Sequence, residues 1–579
     1  MKVILAKNAG FCMGVRRAVE TTLDIIHRED RGVATYGPLI HNPQVLDLLA
    51  ERGVRIIKEI PEQESGTVVI RAHGVPPEQK EKLKATGARV EDATCPHVVK
   101  VQVIIKKYRK QGHATVIVGD RNHAEVEGLM GYSGPLGQVV SNEADVAAME
   151  LSGPYIIVSQ TTQDHKAFDS LSRMILARFP GGAVFNTICD STHKRQDEVR
   201  ELCGRVPAVV VVGGKNSANT QRLGEIIEGM GCRAFMVETE EELDSAALGQ
   251  YDCVGVTAGA STPNWMISRV VRTLEAIPGR GEGVSHIIFY KFCWFFLATN
   301  LCVSVAGGFL AYTCGLLQGL APQPAHFLIS FGYLFAMHNI NRFTDQKTQK
   351  FNDPVRALFY RRYRWPLLVA SALALVLALA LARELGSRPF LLLAGMGLLG
   401  ILYSVRFVPQ FMLPVIKVRG LKEIPGSKTF LVAAAWSFVT TLVPAWGSGA
   451  ASNQMTMGVL VFVFFLAFVR NALFDVFEVQ GDRIVGKETL PVWIGEKKTI
   501  MLLQLIMGLL LVLLVLFPVL GLMTAVGFWL VPGVCYLVVL LYCYEKKYVS
   551  QGPRLEFWLE GVFFLMAALA WLASFAGRV

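Results

Sequence analysis

Three widely spaced cysteines occupy equivalent places in the first half of the sequence. Cys12, Cys95 and Cys189 each follow a short extended run and head an amphipathic helical pattern, as in KNAGFCMGVRRAVE around Cys12. The positive end of a helix dipole favours thiolate over thiol, and thiolates bind zinc or an iron–sulfur cluster. None of the three has a neighbour in the C-x-x-C spacing common in zinc sites, whereas three thiolates on a 4Fe–4S cluster leave one iron open to a substrate oxygen.

Polar side chains end the other apolar runs of the same region. They are His41, His73, His123, Ser217, Asn219 and Ser261. Such donors, with the backbone N–H groups of glycine-rich loops, suit an anion such as diphosphate. Glu125, in NHAEVEG, is predicted to have its pKa raised by desolvation and by the charge of the anion, so that it can donate a proton. Each residue alone is more often a satisfied turn residue, but their shared position at strand ends favours a site.

The pattern of the first 280 residues predicts a scaffold that gathers these loops. Strand-like apolar runs alternate with helical patterns, which is typical of parallel sheets covered by helices. The cysteine turns recur at roughly similar intervals, so we predict three α/β units at approximately 1–90, 91–183 and 184–280. Ligands of parallel sheets bind beyond the carboxyl ends of the strands. Three units around an axis would therefore bring all these loops to one cleft.

The composition of the 579-residue chain changes near residue 280. Hydrophobic residues make up 52% of it and the mean hydropathy is +0.39, but the long apolar runs all lie after His286. The glycine-rich stretch AIPGRGEGVSH separates the parts, so we divide the chain into 1–280, a linker at 281–289 and a second part at 290–579. The opening MKVILAKNAG has too short an apolar region for a cleaved signal peptide. We therefore expect the first part in the cytosol, without a disulfide framework.

Eight motifs of the first part resemble a known family in order and spacing. AGFCMGVRRAVE, GPLIHNP, RAHGVPP, DATCPHV, NHAEVEG, SQTT, KNSANT and GVTAGAST are similar to those of the 4-hydroxy-3-methylbut-2-enyl diphosphate reductases (IspH/LytB). The resemblance covers residues 1–280 and implies an α/β trefoil of three pseudo-equivalent units around a central 4Fe–4S cluster. It implies that Cys12, Cys95 and Cys189 hold this cluster. The implied reaction is reductive dehydroxylation of 4-hydroxy-3-methylbut-2-enyl diphosphate to isopentenyl and dimethylallyl diphosphate, the final step of the methylerythritol phosphate pathway, with reduced ferredoxin or flavodoxin as electron donor.

The same resemblance assigns roles to the polar residues at the strand ends. Glu125, with Thr161, would relay a proton to the substrate hydroxyl. The residues that would hold the diphosphate are His41, His73, His123, Ser217, Asn219 and Ser261. The family often has a hydroxyl or amide residue where this sequence has Ala218. One side-chain donor is lost there, so we expect weaker diphosphate binding and no loss of function.

The second part has the pattern of a membrane domain. Nine apolar runs of transmembrane length lie at roughly 290–316, 326–341, 366–382, 389–405, 429–446, 456–474, 500–520, 523–543 and 556–575. Arginine and lysine concentrate in the loops after the second, fourth and sixth runs, and the loops GLAPQPA and GSGAASNQ carry none. The positive-inside rule predicts an integral protein of the inner (cytoplasmic) membrane, with the N-terminal domain in the cytoplasm and the C-terminus outside. The basic residues that flank these runs account for the net charge of +10. We therefore expect the lipid bilayer as a partner and no binding of nucleic acid.

Two of the predicted cytoplasmic loops carry acidic residues. Asp475, Glu478 and Asp482 are spaced by three and four residues, so they share one helix face, where carboxylates can hold Mg²⁺ bridging to a diphosphate. A solvated helix end is the alternative interpretation. The nine runs, Asn341 and Asp345 in an N-x-x-x-D loop and the motif D-x-x-E-x-x-x-D-R-x-x-G-K-x-T-L-P together resemble the UbiA-type prenyltransferase superfamily over residues 290–575.

This second resemblance implies an all-α membrane domain that ionises a prenyl diphosphate with Mg²⁺ and passes the allylic cation to an aromatic or lipid acceptor. Two positions depart from the family pattern: Glu478 replaces a usual Asp, and Gln349 stands where the first motif has its last Asp. An amide oxygen is a weaker Mg²⁺ ligand than a carboxylate. Tyr403, Arg406 and Lys422 are candidate partners in the middle loop.

Three hypotheses for the second part remain open. The first is a working membrane prenyltransferase fused to the reductase. The second is a catalytically degenerate domain that serves as an anchor or binding module, which Gln349 favours. The third is a transporter, against which the acidic cytoplasmic loops argue.

Overall fold

A computed structural model describes residues 1–28, 32–278, 284–344, 353–404, 424, 426–449, 453–485, 489–546, 548–549 and 552–576 of the chain. The chain separates into two compact units, Met1–Glu282 and Gly283–Val579. This boundary falls within the predicted linker 281–289. Residues 281–283 of that linker lie outside the described part, and the remainder belongs to the helix Val284–Ala298, because the helical pattern already begins at VSHII.

Strands and helices alternate through the first unit, as the sequence pattern predicts. The strands are β1 (Lys2–Leu5), β2 (Val33–Tyr36), β3 (Arg55–Ile57), β4 (Thr67–Ile70), β5 (Arg89–Asp92), β6 (Ala114–Val118), β7 (Gly137–Val140), β8 (Tyr155–Ser159), β9 (Ala183–Val184), β10 (Ala208–Val212), β11 (Arg233–Val237) and β12 (Cys253–Ala258). The helices are α1 (Met13–Arg28), α2 (Pro43–Ala50), α3 (Pro77–Ala85), α4 (Pro96–Arg109), α5 (Ala124–Ser133), α6 (Glu143–Ala148), α7 (His165–Arg178), α8 (Asp190–Cys203), α9 (Ala218–Gly229), α10 (Ser245–Leu248) and α11 (Asn264–Ala276).

The strands form three four-stranded parallel sheets, which confirms the predicted fold class of three α/β units. Their orders are β3-β2-β4-β5, β7-β6-β8-β9 and β11-β10-β12-β1. In each sheet one edge strand leads directly to a cysteine: β5 to Cys95, β9 to Cys189 and β1 to Cys12.

The first strand departs from the predicted unit 1–90, because it belongs to the third sheet. β1 pairs with β12, with Val3 opposite Val254, so the start of the chain completes the sheet formed near the end of the unit. The physical reason is the open edge that β12 would otherwise have, since Val254 and Val256 are fully buried and their strand needs a hydrogen-bonding neighbour.

Helices on both faces of the sheets explain the continuous apolar strands. Every residue of β6 (ATVIV), β8 (YIIVS) and β10 (AVVVV) is buried. In the second sheet Val116 and Ile157 pack on the side of Phe168, whereas Ile117 and Ile156 pack against α4. Sheets buried on both faces hold the loops at their carboxyl ends rigidly, which is where the predicted functional residues lie.

The described residues of the second unit form helices joined by turns and loops. Its helices are Val284–Ala298, Leu301–Leu317, Pro324–Thr344, Pro354–Arg362, Arg364–Leu385, Ser387–Ser404, Ser427–Gly447, Gln454–Val485, Leu490–Ile494, Glu496–Val519, Val526–Trp529, Val531–Glu545 and Pro553–Phe575. Each of the nine predicted apolar runs overlaps at least one of these helices.

Six helices of the described residues are long and apolar enough to cross a membrane, and a seventh candidate is a bent pair. That pair, Lys291–Ala298 and Leu301–Leu317, turns by 69° at Asn300, which has a positive φ of 60°. Two further predicted spans differ from the rest. The helix Ser387–Ser404 is shorter than the six candidates, and Pro324–Thr344 is not among them because polar and charged residues such as His338, Asn339 and Arg342 interrupt it. The helices support a membrane protein with six or seven candidate spans.

Candidate functional site

Eleven side chains predicted to act in the first unit line a single cleft. They are Cys12, His41, His73, Cys95, His123, Glu125, Thr161, Cys189, Ser217, Asn219 and Ser261. The cleft encloses about 710 Å³ of empty space, its opening to solvent included. All of these residues lie in loops or first helical turns after the carboxyl ends of strands from three different sheets. The parallel topology thus brings together residues up to about 250 positions apart in the chain.

The three cysteines repeat one local geometry. Cys95 and Cys189 are the N-caps of α4 and α8, and Cys12 directly precedes α1. Each cysteine N–H donates to a carbonyl of a neighbouring strand-end loop, at 3.0 Å for Cys12 and 2.9 Å for the other two. The acceptors, in the same order, are the carbonyls of Ala260, Ala72 and Thr161. The repeated contact fixes all three sulfurs at one end of the sheets.

The surroundings of the sulfurs fit a metal cluster. The Val15 N–H points at Cys12 Sγ at 3.4 Å, and the first-turn N–H groups of α4 and α8 likewise stabilise charge on Cys95 and Cys189. Gly14 packs so closely that a Cβ there would lie 2.4 Å from Cys95 Sγ. Three thiol donors with backbone N–H groups directed at them are the donor set of an iron–sulfur site.

Burial has the larger effect on the pKa of two of these thiols, Cys95 and Cys189. Desolvation raises the pKa of Cys95 to about 11, and it also raises the pKa of Cys189. The N–H groups at the helix N-termini lower the pKa of both thiols, as expected, but burial is the larger effect. A bound metal centre would add positive charge that holds three thiolates together, and its binding would release the thiol protons.

The three histidines form a tight cluster on one side of the cleft. The ring centroids of His41 and His73 lie 4.5 Å apart, and the His123 ring lies 5.6 Å and 5.4 Å from them. One ring nitrogen from each residue lies within 4.8 Å of the others, a spacing that could also hold a metal ion. His123 Nδ1, however, accepts a hydrogen bond from the Glu125 N–H at 3.2 Å. The neutral His123 ring therefore carries its hydrogen on Nε2, which makes it a donor to an anion.

The cluster is built to bind an anion through neutral donors. Burial and the charges of its neighbours hold the pKa of His73 well below its usual range, and burial lowers the pKa of His123 to about 4. In the described part of the chain His41 Nε2, His73 Nδ1 and Asn219 Nδ2 are buried without a hydrogen-bond partner. A bound diphosphate would satisfy such orphaned polar atoms.

The N-terminus of α9 completes this side of the cleft. Ser217 is its N-cap, yet the serine hydroxyl makes no capping hydrogen bond, and Asn219 lies in the first turn. Ala218 between them lines the cleft as well and offers only its backbone N–H. Unpaired N–H groups at a helix N-terminus attract phosphate oxygens. Ser261 lies opposite, where its hydroxyl donates to the His41 carbonyl at 2.9 Å.

Glu125 is held in a buried contact with Thr161. Only 1% of Glu125 is exposed; its Oε1 accepts the Thr161 N–H at 2.7 Å, and its Oε2 contacts the Thr161 hydroxyl at 2.8 Å. Burial raises the pKa of Glu125 to about 7, although the two contacts with Thr161 oppose the shift. A carboxyl with such a pKa can donate a proton near neutral pH.

Sequence reasoning missed several polar residues that line the cleft, among them Thr162 and Thr192, and one buried residue near the sulfurs. Arg195 is only 3% exposed, and its guanidinium donates to the Gly10 carbonyl at 2.8 Å. It interacts electrostatically with Cys12 and Cys189, so it supplies a fixed positive charge beneath the sulfurs. The sequence feature that could have indicated Arg195 is its position as a basic residue in the second turn of the helix that begins after Cys189.

The second unit places part of its predicted motif on one long helix. Asp475, Glu478 and Asp482 lie in Gln454–Val485, and both aspartates are almost fully buried. Lys428 Nζ lies 2.9 Å from Asp475 Oδ1, and the Thr429 hydroxyl donates to Asp475 Oδ2 at 2.6 Å. Both oxygens of Asp475 are therefore already engaged, so a Mg²⁺ ion would have to share this carboxylate with Lys428.

The other residues predicted for the second unit are divided between described and undescribed parts. Asn341 lies in the last turn of Pro324–Thr344, and Tyr403 is buried near the end of Ser387–Ser404. Asp345, Gln349, Arg406 and Lys422 lie outside the described residues. Lys428 and Thr429 were not predicted, although KTF follows directly on the basic loop.

Comparison with known proteins separates the chain at the same place. The LytB protein family matches residues 3–275, and the UbiA prenyltransferase family matches residues 301–567. A 4-hydroxy-3-methylbut-2-enyl diphosphate reductase from Geobacter sp. (strain M21) is 43% identical over 280 residues, covering 48% of this chain and 98% of the relative.

Two solved structures resemble one part each. A reductase structure from Plasmodium falciparum, for E-1-hydroxy-2-methyl-but-2-enyl-4-diphosphate, is 25% identical with a TM-score of 0.46, covering 49% of this chain and 93% of that one. A UbiA homolog from Archaeoglobus fulgidus, bound to GPP and Mg²⁺, is 17% identical with a TM-score of 0.38, covering 48% of this chain and 98% of that one. By sequence, the chain belongs to the LytB family in residues 3–275 and carries a UbiA prenyltransferase family domain in residues 301–567.

Proposed function

We propose that the first unit reduces 4-hydroxy-3-methylbut-2-enyl diphosphate to isopentenyl and dimethylallyl diphosphate. The observation that carries the proposal is the convergence of eleven side chains from three sheets on one cleft. The cleft combines a thiol corner, a group of neutral anion donors and a buried carboxyl whose pKa is near neutrality. A ligand that uses the thiols, the anion donors and the carboxyl together has an anionic group at one end. At its other end it has a group that accepts electrons and a proton. We also propose that the three sheets form a trefoil around this cleft.

Each group has one task in the proposed reaction. Cys12, Cys95 and Cys189 would hold a 4Fe–4S cluster, which when bound would pass on the carrier's electrons and offer a Lewis-acidic iron. The histidines, with Ser217, Asn219 and Ser261, bind and orient the diphosphate. Glu125 donates a proton so that the substrate hydroxyl leaves as water, and Thr161 keeps the carboxyl in place.

The overall reaction consumes two electrons and two protons for each hydroxyl lost as water. A second proton reaches the allyl carbon chain to give either product. Neither substrate nor product supplies the electrons, so a reduced ferredoxin or flavodoxin is the proposed donor. Anaerobic purification, absorption and EPR spectroscopy of the cluster, and turnover of the hydroxylated diphosphate with reduced methyl viologen test the proposal. A protein that binds a cluster but leaves the substrate unchanged would contradict it.

The diphosphate site gives a first prediction. Replacing Asn219 by alanine removes a buried amide donor, and we expect the KM to rise by about 10-fold to 100-fold because one hydrogen bond to a charged group is lost. The kcat and the cluster spectrum should change little, since Asn219 contacts neither sulfur nor Glu125. Asn216→Ala is the matched control, because Asn216 is exposed three residues earlier. Equal KM values for the two variants would place the diphosphate elsewhere.

For the second unit we propose a Mg²⁺-dependent prenyltransferase of the inner membrane, with nine spans and the N-terminal unit in the cytoplasm. The supporting observation is the row of carboxylates at Asp475, Glu478 and Asp482 on one helix of a domain in the UbiA family. Carboxylate oxygens are the ligands that Mg²⁺ prefers, and we propose Asn341 and Asp345 as further members of the set. The acceptor would be an aromatic or lipid molecule.

Asp475→Asn tests that activity. The amide keeps the hydrogen bond with Thr429 but loses the negative charge, so we expect Mg²⁺-dependent release of diphosphate from geranyl diphosphate to fall at least about 10²-fold. Reductase turnover of the same purified chain should be retained, which shows that the first unit is folded. Glu545→Gln, at an exposed helix end, is the control. If the unchanged protein shows no such release with any acceptor, the alternative of a degenerate anchor or binding domain is correct.

A further inference from the structure

An exposed apolar and basic surface begins beside the cysteines of the first unit. Met13 on α1 is 58% exposed, and Val99 and Val103 on α4 are 38% and 59% exposed. Arg17 and Lys100 lie on the same outward sides of the two helices and are exposed as well. We call these five residues the α1–α4 face.

The composition of α4 makes this face unusual for a solvated helix. Its sequence PHVVKVQVIIKKYR contains no acidic residue, and its exposed positions alternate valines with lysines. Val98, Val101 and Ile105 already supply the buried side of the helix, so Val99 and Val103 have no packing role within the unit. Exposed valines among lysines are typical of a binding surface whose partner is negatively charged.

The face lies directly next to the sulfurs. α4 begins at Cys95, so at 1.5 Å per residue Val99 lies about 6 Å and Val103 about 12 Å further along the helix. α1 packs against the same cysteine, since a Cβ at Gly14 would lie 2.4 Å from Cys95 Sγ. Arg17 Nη1 also donates to the Thr94 carbonyl at 3.0 Å, which joins α1 to the loop that precedes α4.

We propose that the α1–α4 face is the docking surface for an acidic one-electron carrier protein. The proposal rests on the proposed reductase function, which requires two electrons from outside. Each docking transfers one electron from the reduced carrier, which leaves oxidised. Two dockings, with two protons, balance the loss of the substrate hydroxyl as water. Met13, Val99 and Val103 form the desolvated centre of the contact, and the basic side chains form its rim.

The proposed contact has the properties of a transient redox complex. The carrier must leave after each electron, so a small surface with a few apolar residues is sufficient. Opposite charges accelerate the encounter, and salt weakens the attraction because the rim is exposed. Binding should therefore be strongest at low ionic strength.

The test is a double substitution on the face with a matched control. Lys100→Glu with Val103→Glu reverses a charge and places a second one at the apolar centre. Lys58→Glu with Ile56→Glu makes comparable changes beside β3, at the opposite edge of the sheet from the strand that leads to α4, where both residues are exposed. Binding of a bacterial flavodoxin to each full-length holoprotein is measured at low salt, together with turnover driven by that flavodoxin or by reduced methyl viologen.

We expect the face variant to bind flavodoxin at least about tenfold more weakly than the control, because charge repulsion replaces attraction. Its flavodoxin-driven turnover should fall in parallel, whereas viologen-driven turnover should equal that of the control. Equal flavodoxin binding by both variants would overturn the docking proposal. Absence of viologen-driven turnover in the unchanged protein would instead contradict the reductase function, and the binding measurement would still decide the docking surface.

Discussion

Replacing Cys189 by alanine should yield a folded protein that lacks the spectrum of an intact 4Fe–4S cluster and has no measurable reductase turnover. Three sulfurs are the full set of protein ligands predicted for the cluster, so the loss of one leaves two irons without a thiolate. The helix should tolerate the change, because alanine keeps the hydrogen bond from the backbone N–H of residue 189 to the Thr161 carbonyl. Iron and sulfide analysis after anaerobic purification, with absorption and EPR spectra, measures the effect.

Cys203→Ala is the matched control for this prediction. Cys203 ends the same helix and packs in an apolar cluster away from the cleft, so its loss should cost some stability but no iron. Circular dichroism should show both variants folded. A Cys189→Ala protein with full iron content and turnover would show that Cys189 is not a ligand, and the three-cysteine hypothesis would fail with it.

Much of the cleft could be predicted because its residues share a position that sequence reveals. In a parallel sheet the carboxyl end of every strand faces the same edge, so a polar residue after each apolar run points to a common site. His73 after TVVI and Thr161 after YIIVS follow this pattern, and both line the cleft. The family resemblance then supplied roles that spacing alone left open between zinc and iron–sulfur.

The remaining features depend on contacts between distant segments, which local patterns do not encode. The pairing of β1 with β12 joins residues about 250 positions apart, and no periodicity near Val3 indicates it. By sequence, Arg195 resembles any basic residue on an exposed helix. Only the fold shows that its guanidinium is buried and donates to the Gly10 carbonyl. By sequence, Lys428 likewise belongs to a basic loop. In the fold its ammonium contacts the Asp475 carboxylate.

Glu125→Gln should lower the kcat of the reductase by about 10²-fold to 10⁴-fold, the range for loss of a general acid. Glutamine has nearly the same shape, and its carbonyl oxygen can still accept the Thr161 N–H that Glu125 Oε1 accepts at 2.7 Å. The cleft should therefore remain intact, with unchanged cluster spectra and little change in KM. Glu127→Gln is the control, because Glu127 lies two residues further on the same helix with its side chain 57% exposed.

The pH profile distinguishes proton donation from a purely structural role of Glu125. Burial raises the pKa of Glu125 to about 7, so the carboxyl is protonated below this value and loses its proton as the pH rises through it. If the protonated form is the donor, the kcat of the unchanged enzyme should fall by about tenfold per pH unit above its pKa, and the same fall should appear in Glu127→Gln. The Glu125→Gln variant should have a low kcat without this alkaline limb. A limb that persists in that variant would assign the titration to another group, because glutamine cannot titrate.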